Sequence, residues 1–277
     1  MDGPTPQTGL RFMKMHGLGN DFVVIDSRGR EPMMTGVLAA ALGDRHRGVG
    51  FDQLAEITDH TESDIGLTFW NSDGSRARAC GNATRCVSEF ILSETGETAL
   101  TLTTPRGLLQ AKRDRRLISV NMGQPQLAWD EIPLSHETDP GNLPIDGNPM
   151  AVGMGNPHCV FFVEDAETAP VGTLGPQIEN HPLFLDRTNV EFAQIRARDD
   201  IRMRVWERGT GITLACGSGA CATIVAAHAR GLTDAKVRME VDGGWLIIEQ
   251  RPDGVWMTGP TMHVFDGILT DAFLGSL

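Results

Sequence analysis

The chain has 277 residues, 40% of them apolar and 22% charged, and carries a formal net charge of −12. That length and balance suit a globular protein with room for two ordinary domains. The acidic balance argues against a nucleic-acid partner, which needs Lys and Arg in excess. No apolar run approaches the ~18 residues of a membrane helix, so the expectation is a cytoplasmic protein that binds neither nucleic acid nor membrane.

The opening, MDGPTPQTG, is polar and proline-containing, with neither a basic nor an apolar leader region, and reads as a loose extension. GLGN at 17–20 then leads into FVVID, a short apolar strand after a glycine turn. IGLTFW reads as a strand feeding a loop, and ACGN at 79–82 opens a small-residue helix, NATRCVSEFILSETG. In that helix Val87, Phe90 and Ile91 have helical spacing and Gly96 is the C-cap. ALTLTT, LLQAKR and LISVNM follow as strands, and the basic cluster KRDRR at 112–116 reads as a solvated strand or turn. A Pro- and Asp-rich segment after Met122, QPQLAWDEIPLSHETDPGNLPIDGNP, predicts a domain boundary. The same elements then recur. GMGN leads into CVFFVED, IRMRVW is a strand, SGACATIVAAHARG is a helix ending at Gly231, and KVRMEV, GWLIIEQ and VWMTG are strands.

The recurrence has a single offset. Asn20 and Asn156, Trp70 and Trp206, and Cys80 and Cys216 are each 136 positions apart. LTFWNSDGSRARACGN lies over MRVWERGTGITLACGS without a gap, which points to internal duplication. The predicted fold class is α/β (α+β), with two pseudo-symmetric domains, each a strand-rich sheet wrapped around a central helix. Their expected bounds are 1–123 and 124–264, with residues from about 265 to 277 packing back on the first domain.

Five cysteines stand at 80, 86, 159, 216 and 221, an odd number that suits reduced thiols better than a disulfide framework. Within each half the pairs are spaced C-x5-C and C-x4-C. Helical residues that far apart point away from each other, and neither pair matches a zinc pattern. No metal is expected, and Cys86 and Cys221 read as small core residues on their helices.

Cys80 and Cys216 differ because they stand at helix starts. Unpaired N–H groups and the positive end of the helix dipole lower a thiol's pKa there and favour thiolate. The residues that follow, Gly81-Asn82 and Gly217-Ser218, offer N–H groups to a carboxylate. If the two halves face each other across a cleft, a substrate carboxylate held there carries its α-carbon between two sulfurs. One thiolate can remove the α-proton while the other thiol protonates the opposite face, and the helix N-termini stabilise the charge that develops. The product is an inverted stereocentre, made without a cofactor. GLGNDF lacks the third glycine of a dinucleotide fingerprint and precedes a strand, and no phosphate-binding P-loop occurs.

KMHGLGNDF, GFDQL, ACGN, MGNPH, RTNVEF, VWERGTG and ACGSGAC, in this order, resemble the diaminopimelate epimerase family, from about Arg11 to the C-terminus. The resemblance implies Cys216 as proton acceptor and Cys80 as proton donor in the LL-to-meso direction. It implies substrate contacts from Asn20, Gln53, Asn71, Gly81, Asn82, Asn156, Asn189, Glu207, Arg208, Gly217 and Ser218, with His158 helping to set the reacting amino group. It further implies an amino-acid substrate, a place in lysine and peptidoglycan precursor synthesis, no cofactor, and a homodimer. Proline racemase and hydroxyproline epimerase share the fold, but there the first cysteine is followed by Gly-His where this chain has Gly81-Asn82. A related amino-acid racemase, or an inactive binding module on the same fold, are the alternatives. Two positions depart from the commonest family pattern, Ala83 where a glycine is frequent and Ile212 where a glutamate is frequent.

Overall fold

The computed structural model describes residues 9–77 and 79–277; the N-terminal extension at 1–8 and Arg78, ahead of the first ACG, lie outside the described residues. The chain divides into two compact units, residues up to Ile118 together with Thr261–Leu277, and Ser119–Pro260.

In the first unit, β1 (Gly9–Gly17) and β2 (Asn20–Asp26) form an antiparallel hairpin. Its two-residue turn has positive φ at both positions, 58° at Leu18 and 83° at Gly19, the turn geometry that matches strand twist. Next come α1 (Gly36–Gly43), β3 (Gln53–Thr58), β4 (Ile65–Asn71) and the short β5 (Arg76–Ala77). The helix α2 (Gly81–Thr95) follows, ending at Gly96 in the left-handed region with φ 76°, then β6 (Ala99–Thr104) and β7 (Gly107–Asp114). β2 pairs parallel with β3, and β4 with β6; β3–β4 and β6–β7 are antiparallel. Helix α2 packs on β1, β2, β3, β6 and β7. On the other side, Leu38, Ala39 and Leu42 of α1 join Val23, Ile25, Leu54 and Trp70 in one core.

The strand β8 (Leu117–Asn121) contains the division between units. The second unit then runs β9 (Met150–Gly153), β10 (Pro157–Phe162), α3 (Val171–Glu179), β11 (Asn189–Ala197), β12 (Asp200–Glu207) and β13 (Gly211–Ile212). It continues with α4 (Gly217–Ala229), β14 (Lys236–Val241), β15 (Gly244–Arg251) and β16 (Gly254–Gly259). The pairing scheme of the first unit returns: β9–β10 antiparallel, β10–β11 parallel, β11–β12 antiparallel, β12–β14 parallel and β14–β15 antiparallel. Even the register repeats, since Phe22 opposes Gln53 as His158 opposes Asn189, and Leu54 opposes Trp70 as Val190 opposes Trp206. The chain ends with β17 (Met262–Thr270), antiparallel to β1, and the single-turn α5 (Asp271–Leu274). No helix of the described residues is long and apolar enough to cross a membrane.

Three features go beyond the sequence reading. Each unit has a second helix, α1 or α3, on the sheet face opposite α2 or α4. α1 has no helical period in the sequence, because GVLAAALG is apolar all round. The strands β3 and β11 likewise lack a sequence signal, since each is buried along most of its length and shows little alternation. Finally, the Pro- and Asp-rich segment after Met122 is not a spacer. Ile132, Leu134 and Leu143 from it are buried in the α3-side core with Phe161, Ile178, Phe184 and Phe192, so its prolines and aspartates shape turns on a packed surface.

Trp206 is clamped by α3, where a Cβ added to Gly175 would lie 2.6 Å from the Trp206 Cβ. Gly175→Ala is therefore expected to destabilise by about 1–3 kcal/mol through overpacking, measured as a lowered urea midpoint with unchanged m-value. Burial pushes the Cys86 thiol from an ordinary value of 9.0 up to about 12. Between those values the unfolded chain loses this proton while the folded chain keeps it, so stability present below pH 9 is lost as pH rises. Thermal melts from pH 8 to 10.5 should show that slope, and Cys86→Ala should flatten it.

Candidate functional site

The cysteine ahead of each long helix is its N-cap. Cys80 has φ −149° and its Sγ accepts from the Ala83 N–H at 3.4 Å; Cys216 has φ −113° and accepts from the Gly219 N–H at 3.4 Å. A sulfur takes the place that Ser or Asp oxygen usually fills at a helix start. Each cysteine side chain is therefore turned back over the first turn of its helix, against the exposed N–H groups.

In the first unit the expected contacts gather around that start. Asn82, in the first turn of α2, donates from Nδ2 to Asn20 Oδ1 at 3.1 Å, and Asn20 Nδ2 donates to Asp52 Oδ2 at 2.9 Å. Behind them Arg85 is fully buried and donates from Nη1 to Asn82 Oδ1 at 2.9 Å. The amide orientations are thereby ordered in one direction, from guanidinium to carboxylate. Arg45 bridges Asp21 and Asp52, and Lys14 also pairs with Asp21, which ties the β1–β2 turn to the start of β3. Burial raises the Asp21 carboxyl, but Arg45 and Lys14 outweigh it and hold the group below its usual value. Gln53 donates to Asn71 Oδ1 at 3.1 Å, and Asn71 donates in turn to Ser75 at 3.0 Å.

In the second unit the same positions carry different chemistry. Asn156 Oδ1 lies 3.0 Å from His158 Nε2, and His158 Nδ1 lies 2.7 Å from Glu191 Oε1. Asn189 donates to the Pro157 carbonyl at 2.9 Å and accepts the Arg208 N–H at 3.0 Å. Arg208 donates from Nη1 to the Asp186 carbonyl at 2.7 Å, and Thr213 donates to Glu207 Oε1. Glu179, buried, accepts from Trp206 Nε1 at 2.7 Å and from the Gly209 N–H at 2.8 Å, which fixes the 206–209 loop. Ser218 Oγ is 3.6 Å from Cys216 Sγ.

Electrostatics correct one expectation. The helix N-terminus alone would lower the Cys216 pKa, yet burial pushes this thiol well above its usual 9.0, and the Glu207 and Glu191 carboxylates push the same way. Hydrogen bonds from Ser218 and the Gly219 N–H offset this only in part. The net effect is that Cys216 holds its proton more tightly than an ordinary thiol.

Sequence reasoning missed Arg85, Asp52, Glu179 and Glu191. The last had a usable signal: a carboxylate inside NVEFA, an otherwise apolar strand, two positions after Asn189 and so on the same face. Among the described residues no three His, Cys, Asp or Glu side chains converge as a metal-ligand set.

The duplicated α/β architecture is shared with solved structures of low sequence similarity. A phenazine biosynthesis protein from Bacillus anthracis aligns with a TM-score of 0.68 at 13% identity, over 95% of this chain and 99% of that one. A probable proline racemase from Agrobacterium radiobacter gives 0.67 at 16%, over 95% and 93%. These define the class of fold. The family model described as diaminopimelate epimerase matches residues 12–128 and 150–264, one stretch for each half. The diaminopimelate epimerase of Rhodospirillum centenum is 50% identical over 96% of this chain and 95% of its own length. That of Acidiphilium cryptum is 48% identical over 95% and 97%. The chain belongs to the diaminopimelate epimerase family.

Removing the Glu207 charge should ease ionisation of Cys216. Alkylation of Cys216 at pH 8, followed by peptide mass spectrometry, is expected to run up to about tenfold faster in Glu207→Gln than in the parent chain. An unchanged rate would remove Glu207 from the electrostatics of this thiol.

Proposed function

We propose that the chain is an isomerase that converts LL-2,6-diaminopimelate to the meso isomer by two-base proton transfer between Cys80, Cys216 and the substrate α-carbon. The observation that carries this reading is a cysteine N-cap at the equivalent helix of each half, in a chain whose family is diaminopimelate epimerase.

Inversion requires a base on one face of the α-carbon and an acid on the other. In the LL-to-meso direction the Cys216 thiolate takes the α-proton, forming its S–H bond as the C–H bond breaks. The electron pair left on carbon delocalises into the carboxylate, and the Cys80 thiol gives its proton to the opposite face. The sulfurs end with their protonation states exchanged, so the reverse reaction uses the same pair. Backbone N–H groups of Gly81, Asn82, Gly217 and Ser218 are the donors for the carboxylate as charge develops on it. The remaining contacts are assigned to Asn20, Gln53, Asn71, Asn156, Asn189, Glu207 and Arg208, with His158 in support.

The raised Cys216 pKa fits its role as acceptor, because a thiolate formed at cost is a stronger base. A substrate ammonium beside Glu207 neutralises one of the two carboxylates that oppose ionisation, so binding itself favours the thiolate. The reading needs no cofactor, and it carries a cytoplasmic homodimer supplying lysine and peptidoglycan precursors. A proline-type racemase is disfavoured by Asn82, since that resemblance calls for histidine after Cys80-Gly81.

In deuterium oxide, purified protein without added cofactor should place deuterium at the α-carbon of diaminopimelate. Cys80→Ala and Cys216→Ala should each lower epimerisation by at least about a hundredfold. Full activity in either variant would sink the two-thiol mechanism, and exchange on proline in place of diaminopimelate would overturn the substrate. Sedimentation equilibrium checks the homodimer.

A further inference from the structure

The duplication provides an internal control for a buried acid that the mechanism above does not use. Glu191 and His158 are both 0% exposed, on adjacent parallel strands β11 and β10. The positions 136 residues earlier are Ala55 and Phe22, also 0% exposed, on strands of the same register. One half therefore fills this layer with apolar side chains, and the other with a carboxylate and an imidazole. The fold does not need the polar pair, and burying it costs solvation that an apolar pair would not.

Where the carboxylate sits indicates what it is for. Oε1 is 2.7 Å from His158 Nδ1, while Oε2 is enclosed with no hydrogen-bond partner among the described residues. A Cβ on Gly219 would lie 2.5 Å from Glu191 Oε1 and 3.2 Å from Cys216 Sγ. The carboxylate is thus wedged under the first turn of α4, against the residue whose N–H caps the catalytic sulfur. The matching helix position in the first half is Ala83, where the facing strand carries Ala55 and no carboxylate competes for the space. On the far side of the imidazole, Nε2 meets Asn156 Oδ1 at 3.0 Å. With both ring nitrogens engaged and the ring buried, His158 reaches a substrate through Asn156.

We propose that Glu191 is a positioning residue: seated between the His158 ring and the first turn of α4, it fixes that ring through Nδ1 so that Nε2 holds the Asn156 amide in one orientation toward the substrate. A carboxylate only accepts hydrogen bonds, so Nδ1–H must donate to it. In a neutral ring Nε2 is then an acceptor and selects the Nδ2–H end of the Asn156 amide, whose O and N ends are interchangeable at this 3.0 Å contact, so ring tautomer and amide orientation are fixed together. The inference rests on the epimerase reading above.

Kinetics and NMR on the full chain test it with Glu191→Gln, Glu191→Ala and the double variant His158→Phe/Glu191→Ala, which copies the first half. The double variant is expected to fold, with a melting temperature at or above that of the parent chain, yet to lose most activity. Glu191→Ala should lower kcat about 10- to 100-fold, the range for partners that orient functional histidines, with a smaller change in KM. Glu191→Gln keeps an acceptor oxygen and should fall between the two. The parent chain should also show a strongly downfield proton for His158 Nδ1–H, absent from Glu191→Ala. An active parent with equal kcat in folded Glu191→Ala, or a downfield proton unaffected by that substitution, overturns the positioning role alone. A parent chain inactive on diaminopimelate overturns the functional reading, and this inference with it.

Discussion

A sulfur that accepts a hydrogen bond from the amide three residues further on begins the long helix of each unit, and the rest of each unit is arranged around it. The bond is weak beside an oxygen cap, so the helix start is held mainly by what lies behind it. In both halves that support is the parallel pair of strands, β2–β3 or β10–β11, in one register. The strands also carry Asn20 and Gln53, or Asn156 and Asn189, beside the helix start. A residue at a strand end and a residue at a helix start are thereby fixed relative to each other by backbone pairing. The exposed ends can then vary in chemistry without disturbing the frame.

That freedom was used unequally. The first half backs its helix start with Arg85, a buried cation that orders Asn82, Asn20 and Asp52 in series. The second half places Cys221 at the position of Arg85 and puts His158 and Glu191 where the first has Phe22 and Ala55. A buried guanidinium on the helix of one unit and a buried carboxylate on a strand of the other thus distinguish two units that share one pairing scheme. The departure at Ala83 belongs to the same asymmetry. A side chain is excluded at Gly219 by the Glu191 carboxylate, and no such group faces Ala83. Ile212 is 50% exposed on the short β13, paired with Trp206 and next to Thr213, which donates to Glu207.

Much of this was legible in the chain. The common offset of Asn20, Trp70 and Cys80 with Asn156, Trp206 and Cys216 exposed the duplication, because turns and helix starts restrict residue type more tightly than packing does. Strands with a glycine turn before them, and helices ended by glycine, were readable for the same reason. Cys86 and Cys221 were recognised as packing residues, and both are fully buried. α1 was not legible, since an all-apolar helix has no periodic signal, and neither was the packed character of the 124–149 segment, whose proline and aspartate content resembles that of a linker.

The sequence by itself determined the repeat, the class of fold, and which two cysteines stand at helix starts, since these follow from local residue type and spacing, and its motifs carried the resemblance to the family. Only the tertiary structure decided the electrostatic state of Cys216 and the identity of the groups behind each site. The helix dipole acts along the chain and can be read from it. Desolvation and the Glu207 and Glu191 carboxylates act through space, and they reach Cys216 only because β11 and β12 are folded under α4. Their combined effect is the larger one. For the same reason Arg85 is unremarkable in the chain, and Glu191, though marked by its apolar neighbours in NVEFA, has no visible partner until folding buries it against His158.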